Sequence, residues 1–439
     1  MTAPTPAVTP TDPLDLLRSR SYVVLLVFGA LIGVPVAAVA YGFLKLVAVA
    51  QKWLFVNLPT HLGFDTAPVW WPVPLLALAG VIVALVIQRL PGTAGHEPSA
   101  GLSAMGSPTG LELPGVVLAA FVTLSFGAVL GPEAPLIAIG GGLAALMVHL
   151  VKKDAPAQAI VVIGAAGSFA AISTLLGSPI VGAFLLMEVA GLAGPMIGVV
   201  LAPGLLAAGI GSLVFIGLDG ITGWGTFSLG VPSLPPFESI DGYQFLWAVA
   251  IGLLGAVLGS AIRLGAQRLQ PVVAKHRMLV TPLAGAGVAV AAIVFAQVSD
   301  HGIGQVLFSG ENSLAPLIQD AGSWTVGALC LLVLCKSVAY VLSLSSFRGG
   351  PTFPAMFIGA ALGVALSHLP GLPVVAGVAM GIGAMAVTML RLPLTSVLLT
   401  VLFLQSDGVT LMPLVIVSVV VAFVASVRLT PAAPAAPAD

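Results

Sequence analysis

Apolar runs of about 20 residues, the length needed to cross a bilayer as a helix, begin near Tyr22, Trp71, Gln244, Leu279 and Trp324, with shorter runs between them. So many of them leave no room for a water-soluble core. Only 7% of the 439 residues are charged and 59% are hydrophobic, whereas a soluble domain carries about 25% charged residues. The chain reads as a polytopic, all-α membrane protein. Met1 to Leu17 is a Pro/Thr/Asp-rich polar stretch rather than a cleavable signal. It and the Pro/Ala tail, residues 429–439, are expected to be disordered.

Charge placement carries more than the formal net charge of −1. Arg18 and Arg20 precede the first run, and Arg263, Arg268, Lys275 and Arg277 cluster between two later ones. The positive-inside rule puts both regions in the cytoplasm, and the amino terminus with them. The expected location is a plasma or inner membrane. Cys330 and Cys335 lie in one apolar run, where a helix turns them to different faces. They read as buried core residues, not as a disulfide or metal site. No cofactor, metal or nucleic acid is expected as a partner. The bilayer is.

Several apolar segments are too short to span and start at proline: Pro135 to Leu150, Pro179 to Val189, Pro354 to Leu366 and Pro393 to Leu404. Proline suits the first helical turn, so these read as broken or re-entrant helices that need a buried partner or a watery cavity. They also repeat. "GPEAPLIAIGGGLAAL" and "GSPIVGAFLLMEV" in the first half match "RGGPTFPAMFIGAALG" and "RLPLTSVLLTVLFL" in the second, in order. The predicted organisation is a cytoplasmic amino terminus (residues 1–19), a first repeat (20–218), a linker (219–242), a second repeat (243–428) and the tail. Internal symmetry of this kind marks transporters whose ion site lies where the broken helices converge.

A helix that starts inside the membrane aims free N–H groups and a positive dipole end inward, which makes an anion site. Glu133 puts a carboxylate at such an end, where it can stand in for a permeating anion. An acid inside a membrane is costly and reads as functional. Glu188, near the end of "LLMEVAG", is open to a structural hydrogen bond or to a role in transport. Glu97, beside His96, is open to a solvated loop or a cytoplasmic entrance. Enzyme chemistry finds no support: the six histidines are scattered and no serine sits in a Gly-x-Ser-x-Gly elbow.

From about Arg20 to Arg428 the order of motifs resembles the CLC chloride channel and transporter family. "GPEAP" is similar to its Gly-Arg/Lys-Glu-Gly-Pro signature, "GGPTFP" to its Gly-x-Phe-x-Pro region and "SPIVGAFLLMEV" to its Pro-initiated helix ending in glutamate. The resemblance implies two inverted repeats, a homodimer with one anion pathway in each subunit, and a gating glutamate at Glu133. It implies a bound chloride or other anion, in a pathway formed by Gly95, His96, Glu97, Pro98, Gly131, Pro132, Ala134, Pro135, Gly349, Gly350, Pro351, Thr352, Phe353 and Pro354.

The departures from the family pattern bear on selectivity. The serine of the family's Gly-Ser-Gly-Ile-Pro motif matches Gly95; "GSPTG", from Gly106, is a nearby serine-bearing alternative at too short a spacing. Of two backbone donors, one falls on Pro351, which has no N–H. The carboxy-terminal tyrosine has no counterpart beyond Tyr340, and Pro132 replaces the basic residue of the signature. Each charge-assisted hydrogen bond lost is worth about 1.5–3 kcal/mol, so a wetter or wider pathway is expected, with Thr352, Thr109, Ser99 or water as replacement ligands. Antiporting members carry Glu-Glu where this chain has Glu188 and Val189, so the resemblance implies that the proton-coupling position is lost. Passive anion flow is the first reading. A proton-coupled antiporter and a transporter of a non-chloride anion are the alternatives.

Overall fold

The computed structural model describes residues 18–102, 107–191, 196–225, 230, 237 and 239–430. Residues 1–17, residues 431–439 and part of the linker therefore lie outside the described residues. In order the helices are α1 (Arg20–Lys52), α2 (Pro72–Arg89), α3 (Leu113–Ser125), α4 (Glu133–Val151), α5 (Ala157–Leu176), α6 (Pro179–Val189), α7 (Met196–Thr222), α8 (Gly242–Lys275), α9 (Arg277–Ser299), α10 (Glu311–Gln319), α11 (Val326–Ser346), α12 (Thr352–Ser367), α13 (Val374–Leu390), α14 (Pro393–Leu404) and α15 (Gly408–Leu429). Among the described residues, 9 helical segments are long and apolar enough to cross a membrane and five apolar helices are shorter. Lipid offers no hydrogen bonds, so an apolar chain satisfies its backbone internally, as helix. Along α1, Val23, Val27, Leu31 and Val34 are exposed at helical spacing and form a lipid-facing stripe.

The two halves are inverted repeats, with α4 to α7 matching α12 to α15 in order. Small residues let the paired helices approach closely. A Cβ on Gly140 would overlap the Gly167 carbonyl, and one on Gly359 would overlap the Gly381 carbonyl. Elements also meet across the halves. α2 packs on α9 and α6 on α14, while the breaks before α4 and α12 join in an antiparallel bridge between Gly131 and Gly350. Gly131 N donates to Gly350 O at 2.8 Å and Gly350 N to Gly131 O at 2.6 Å.

Several local expectations change. α4 and α12 begin at Glu133 and Thr352, two residues before Pro135 and Pro354, because each proline fits inside the first turn, where the N–H it lacks has no helical partner. α4 has 19 residues and is long enough to span. Arg263, Arg268 and Lys275 lie within α8 itself, and only His276 separates it from α9. Cys330 is exposed while Cys335 is buried, both as free thiols; the helical turn that parts them sends Cys330 to the outer face.

Candidate anion pathway

The candidate pathway residues gather around the Gly131–Gly350 bridge. Glu133 is the first residue of α4, with Pro132 as N-cap, and is fully buried. Its side chain folds back over the bridge, so that a Cβ on either Gly131 or Gly350 would overlap its carboxylate. Oε1 accepts the Phe353 N–H at 2.9 Å, in the first turn of α12. Oε2 has no hydrogen-bond partner among the described residues, and neither has the Thr352 hydroxyl. The carboxylate of one half is thus held at the positive helix end of the other. Pro351, which has no N–H, is the N-cap of α12, and the donor that reaches Glu133 is Phe353.

Two cavities flank this point. The inner one, about 380 Å³, takes in Gly95, His96, Ser107, Ala134, Pro135, Ser168, Arg348 and Gly349. The outer one, about 370 Å³, takes in Gln51, Lys52, Leu130, Pro132, Phe308 and Glu311. Gln51 and Lys52 belong to the carboxy-terminal end of α1, whereas Gly95 and His96 follow the end of α2, which runs back towards the start of α1. The cavities therefore open towards opposite ends of the molecule, with buried Glu133 between them.

The candidate residues separate accordingly. Gly95, His96, Ala134, Pro135 and Gly349 line the inner cavity and Pro132 the outer. Gly131, Gly350, Pro351, Thr352, Phe353 and Pro354 are buried in the bridge and first turn between them. Pro98 is buried and lines neither cavity. Glu97 is an ion-pair partner of Arg348 at 3.8 Å, with 38% of its side chain exposed. The ion pair argues against a free loop for Glu97, which lines neither cavity. Gly95 has φ +86°, which a serine adopts only with strain, so this backbone has no place for the family's hydroxyl there. Ser107, set aside on spacing, supplies a hydroxyl to the cavity instead. Ser99 is buried and donates to Gln270 Oε1 at 3.0 Å, and Thr109 is absent from the inner lining.

Glu188 is part of an ordered contact between the halves. It accepts Leu394 N at 3.0 Å, Thr395 N at 2.7 Å and Thr395 Oγ1 at 2.7 Å. A carboxylate at the amino-terminal end of α14 satisfies donors that the helix leaves open and complements its dipole. Of the two readings left open for Glu188, the structural one has these bonds behind it.

Sequence reasoning passed over three residues. Arg348 is only 4% exposed and reaches into the inner cavity. Lys336 is fully buried; its Nζ donates to the carbonyls of Gln305 at 2.9 Å, Val306 at 3.1 Å, Leu307 at 3.3 Å and Phe308 at 3.4 Å. It also stands 4.3 Å from the centre of the Phe357 ring. Tyr340 OH donates to Pro351 O at 2.6 Å and so holds the break before α12. A charge inside an apolar run was the available signal for Lys336, and Arg348 stands at the head of a motif already singled out. Tyr340 gave none, because its partner is a backbone carbonyl.

Comparison with known proteins agrees with this architecture. A family model described as "Voltage gated chloride channel" matches residues 79–426. Proteins named "Putative ion-transport protein YfeO" from Salmonella choleraesuis (strain SC-B67) and Salmonella newport (strain SL254) are each 30% identical over 372 residues, covering 81% of this chain and 84% of theirs. Among solved structures, a slow cyanobacterial Cl⁻/H⁺ antiporter superposes with a TM-score of 0.74 at 18% identity, covering 92% of this chain and 94% of its own. A CLC-type fluoride/proton antiporter gives 0.69 at 21% identity, covering 94% and 96%. At those identities the structures speak for the fold alone, whereas the family model spans most of the sequence, and on that match the chain belongs to the voltage-gated chloride channel family, the CLC proteins.

Proposed function

We propose that this chain conducts small inorganic anions passively between the two cavities, with Glu133 as the gate. The observation that carries this reading is the buried Glu133 carboxylate on the Phe353 N–H. A permeating chloride or other anion competes for the same helix-terminal donors, so the carboxylate blocks when ionised and yields when protonated or displaced. The pathway residues are those of the bridge, the two first turns and the inner lining.

Passive flow, rather than proton exchange, is supported by the far end of α6. All three hydrogen bonds to Glu188 come from α14 and tie it to the fold. Its neighbour Val189 cannot titrate. The test is the reversal potential of purified protein in liposomes under an anion gradient. Passive flow gives the Nernst potential of the anion with no uphill proton movement, in the parent and in Glu188→Gln alike. Proton movement against its gradient, lost in Glu188→Gln, makes the protein an exchanger.

The family resemblance supports a homodimer with one pathway per subunit, testable by the mass of the detergent-solubilised protein. Arg18, Arg20 and the basic turn between α8 and α9 support a cytoplasmic amino terminus in a plasma or inner membrane. Labelling of single cysteines at the two ends tests the orientation.

A further inference from the structure

We propose that the Arg348 guanidinium is the recognition group of the inner cavity and that its planar fork makes this pathway favour planar monovalent oxyanions over spherical halides. The inference rests on the anion-pathway reading above and adds its substrate class.

Arg348 directly precedes Gly349 and Gly350, so the bridge that positions Glu133 also positions the guanidinium. Nε donates to Thr93 O at 3.3 Å and Nη1 to Phe347 O at 3.3 Å. A guanidinium has five N–H groups, so three remain, shared between Nη1 and Nη2, without a hydrogen bond among the described residues. The ion-pair partner, Glu97 Oε1, stands 3.8 Å from Nη2, too far for a hydrogen bond. A buried cation with open donors is an expensive arrangement unless something else fills them. Two carbonyls hold its orientation, and both N–H groups of Nη2 with one of Nη1 are left for a ligand.

The shape of that group decides what it takes. Two parallel N–H groups match the O–X–O edge of a carboxylate or a nitrate, whereas a halide ion offers a single centre. A carboxylate, that of partly exposed Glu97, already pairs with the guanidinium at 3.8 Å. It is this chain's own ligand of the proposed class, and its partial exposure lets it swing aside. Arg277 is close enough to act electrostatically on both members of the pair, and Glu112, the other carboxylate on this cavity, accepts Thr109 N at 2.8 Å.

The rest of the lining has given up the means of choosing a bare halide. Gly95 has no hydroxyl, and the Ser168 hydroxyl is engaged with Ile137 O at 2.9 Å. A cavity of about 380 Å³ far exceeds one water's share of liquid volume, about 30 Å³, and admits an anion with its waters. With no tight ring of donors, discrimination falls to the one fixed charged fork. Ser107 adds a hydroxyl on the cavity wall, next to Gly141 and Gly164, where a Cβ on either glycine would crowd it.

The experiment measures nitrate, formate and chloride flux by purified protein in liposomes, for the parent and for Arg348→Lys, Glu97→Gln and Glu133→Gln. The parent is expected to pass nitrate and formate at least threefold faster than chloride at equal concentration. Arg348→Lys keeps the charge but loses the fork, and its nitrate-to-chloride ratio falls towards one. Glu97→Gln removes the internal competitor and lowers the apparent KM for nitrate. Faster chloride flux in the parent, or an unchanged ratio in Arg348→Lys, overturns the proposal. If Arg348→Lys does not fold, an unchanged nitrate KM in Glu97→Gln overturns it. Failure of the gate reading looks different: flux is then unaltered in Glu133→Gln while the nitrate preference and its loss in Arg348→Lys persist.

Discussion

The Glu133 carboxylate accepts the Phe353 backbone N–H at 2.9 Å across 220 residues of sequence, so one half of the chain closes the helix end of the other. That hydrogen bond involves a charged acceptor and is worth about 1.5–3 kcal/mol. Under the proposed gate, an anion passing between the cavities displaces it. Glu133→Gln removes the charge, weakens the hold on the α12 N–H groups and takes away the titrating group. Anion conductance in liposomes is expected to rise by about tenfold or more, the equivalent of that energy, and to lose most of its pH dependence. An unchanged flux and pH profile would make Glu133 a helix cap and nothing more.

Much of this arrangement was legible in the sequence. The apolar runs, the prolines that open short helices and the repeated glycine-rich breaks announce inverted halves, since the bilayer admits few other ways to satisfy such a backbone. Glu133 was legible for the same reason, as a lone acid beside a helix start. The bridge of Gly131 to Gly350 and the donor role of Phe353 were not, because they depend on how two distant segments meet. Arg348 and Lys336 were hidden differently. A cation in an apolar stretch announces a partner, yet the partners here are mostly main-chain carbonyls, which have no residue signature. Ser107 was set aside on linear spacing, which does not measure how far the chain folds back.

Gly350 offers an independent test of the same contact. A Cβ there would overlap the far end of the flexible Glu133 side chain and approach Ala134 N at 3.1 Å. Gly350→Ala is therefore expected to push the carboxylate off Phe353 and to raise flux severalfold while Glu133 is present. In a Glu133→Gln background, where no carboxylate blocks the route, the same substitution should add little. Additive effects of the two substitutions would show that they act at separate points.

Lys336 carries a prediction about stability. Its ammonium serves four carbonyls of the 305–308 segment, and Phe308 from that segment lines the outer cavity and donates its N–H to Gly127 O at 3.1 Å. Lys336→Met keeps the length of the side chain but leaves those carbonyls without their donor, at about 1–3 kcal/mol for each one that stays buried and unpaired. The detergent-solubilised variant should unfold at a clearly lower temperature than the parent. Equal unfolding temperatures would mean that the segment finds other donors.

Glu311 opens α10 on the wall of the outer cavity, outside the membrane-length helices. Burial, and then the nearby negative charge of Glu133, push its carboxyl from the usual carboxylate value up to about 7. Above that pH the side chain is ionised and opposes an incoming anion; as pH falls through about 7 it takes up a proton and the opposition disappears. Anion entry is therefore favoured on the acid side. The effect of one partly screened charge is about 1 kcal/mol, or roughly fivefold in flux. In Glu133→Gln the like charge is gone while the larger effect of burial stays, so the midpoint of the residual pH dependence should move down from about 7 but remain above the ordinary carboxylate value. Flux measured from pH 5 to pH 9 in Glu133→Gln and in the Glu133→Gln/Glu311→Gln double variant checks this. The residual slope is expected in the first and absent in the second, and a slope that survives in the double variant would assign the remaining titration to another group.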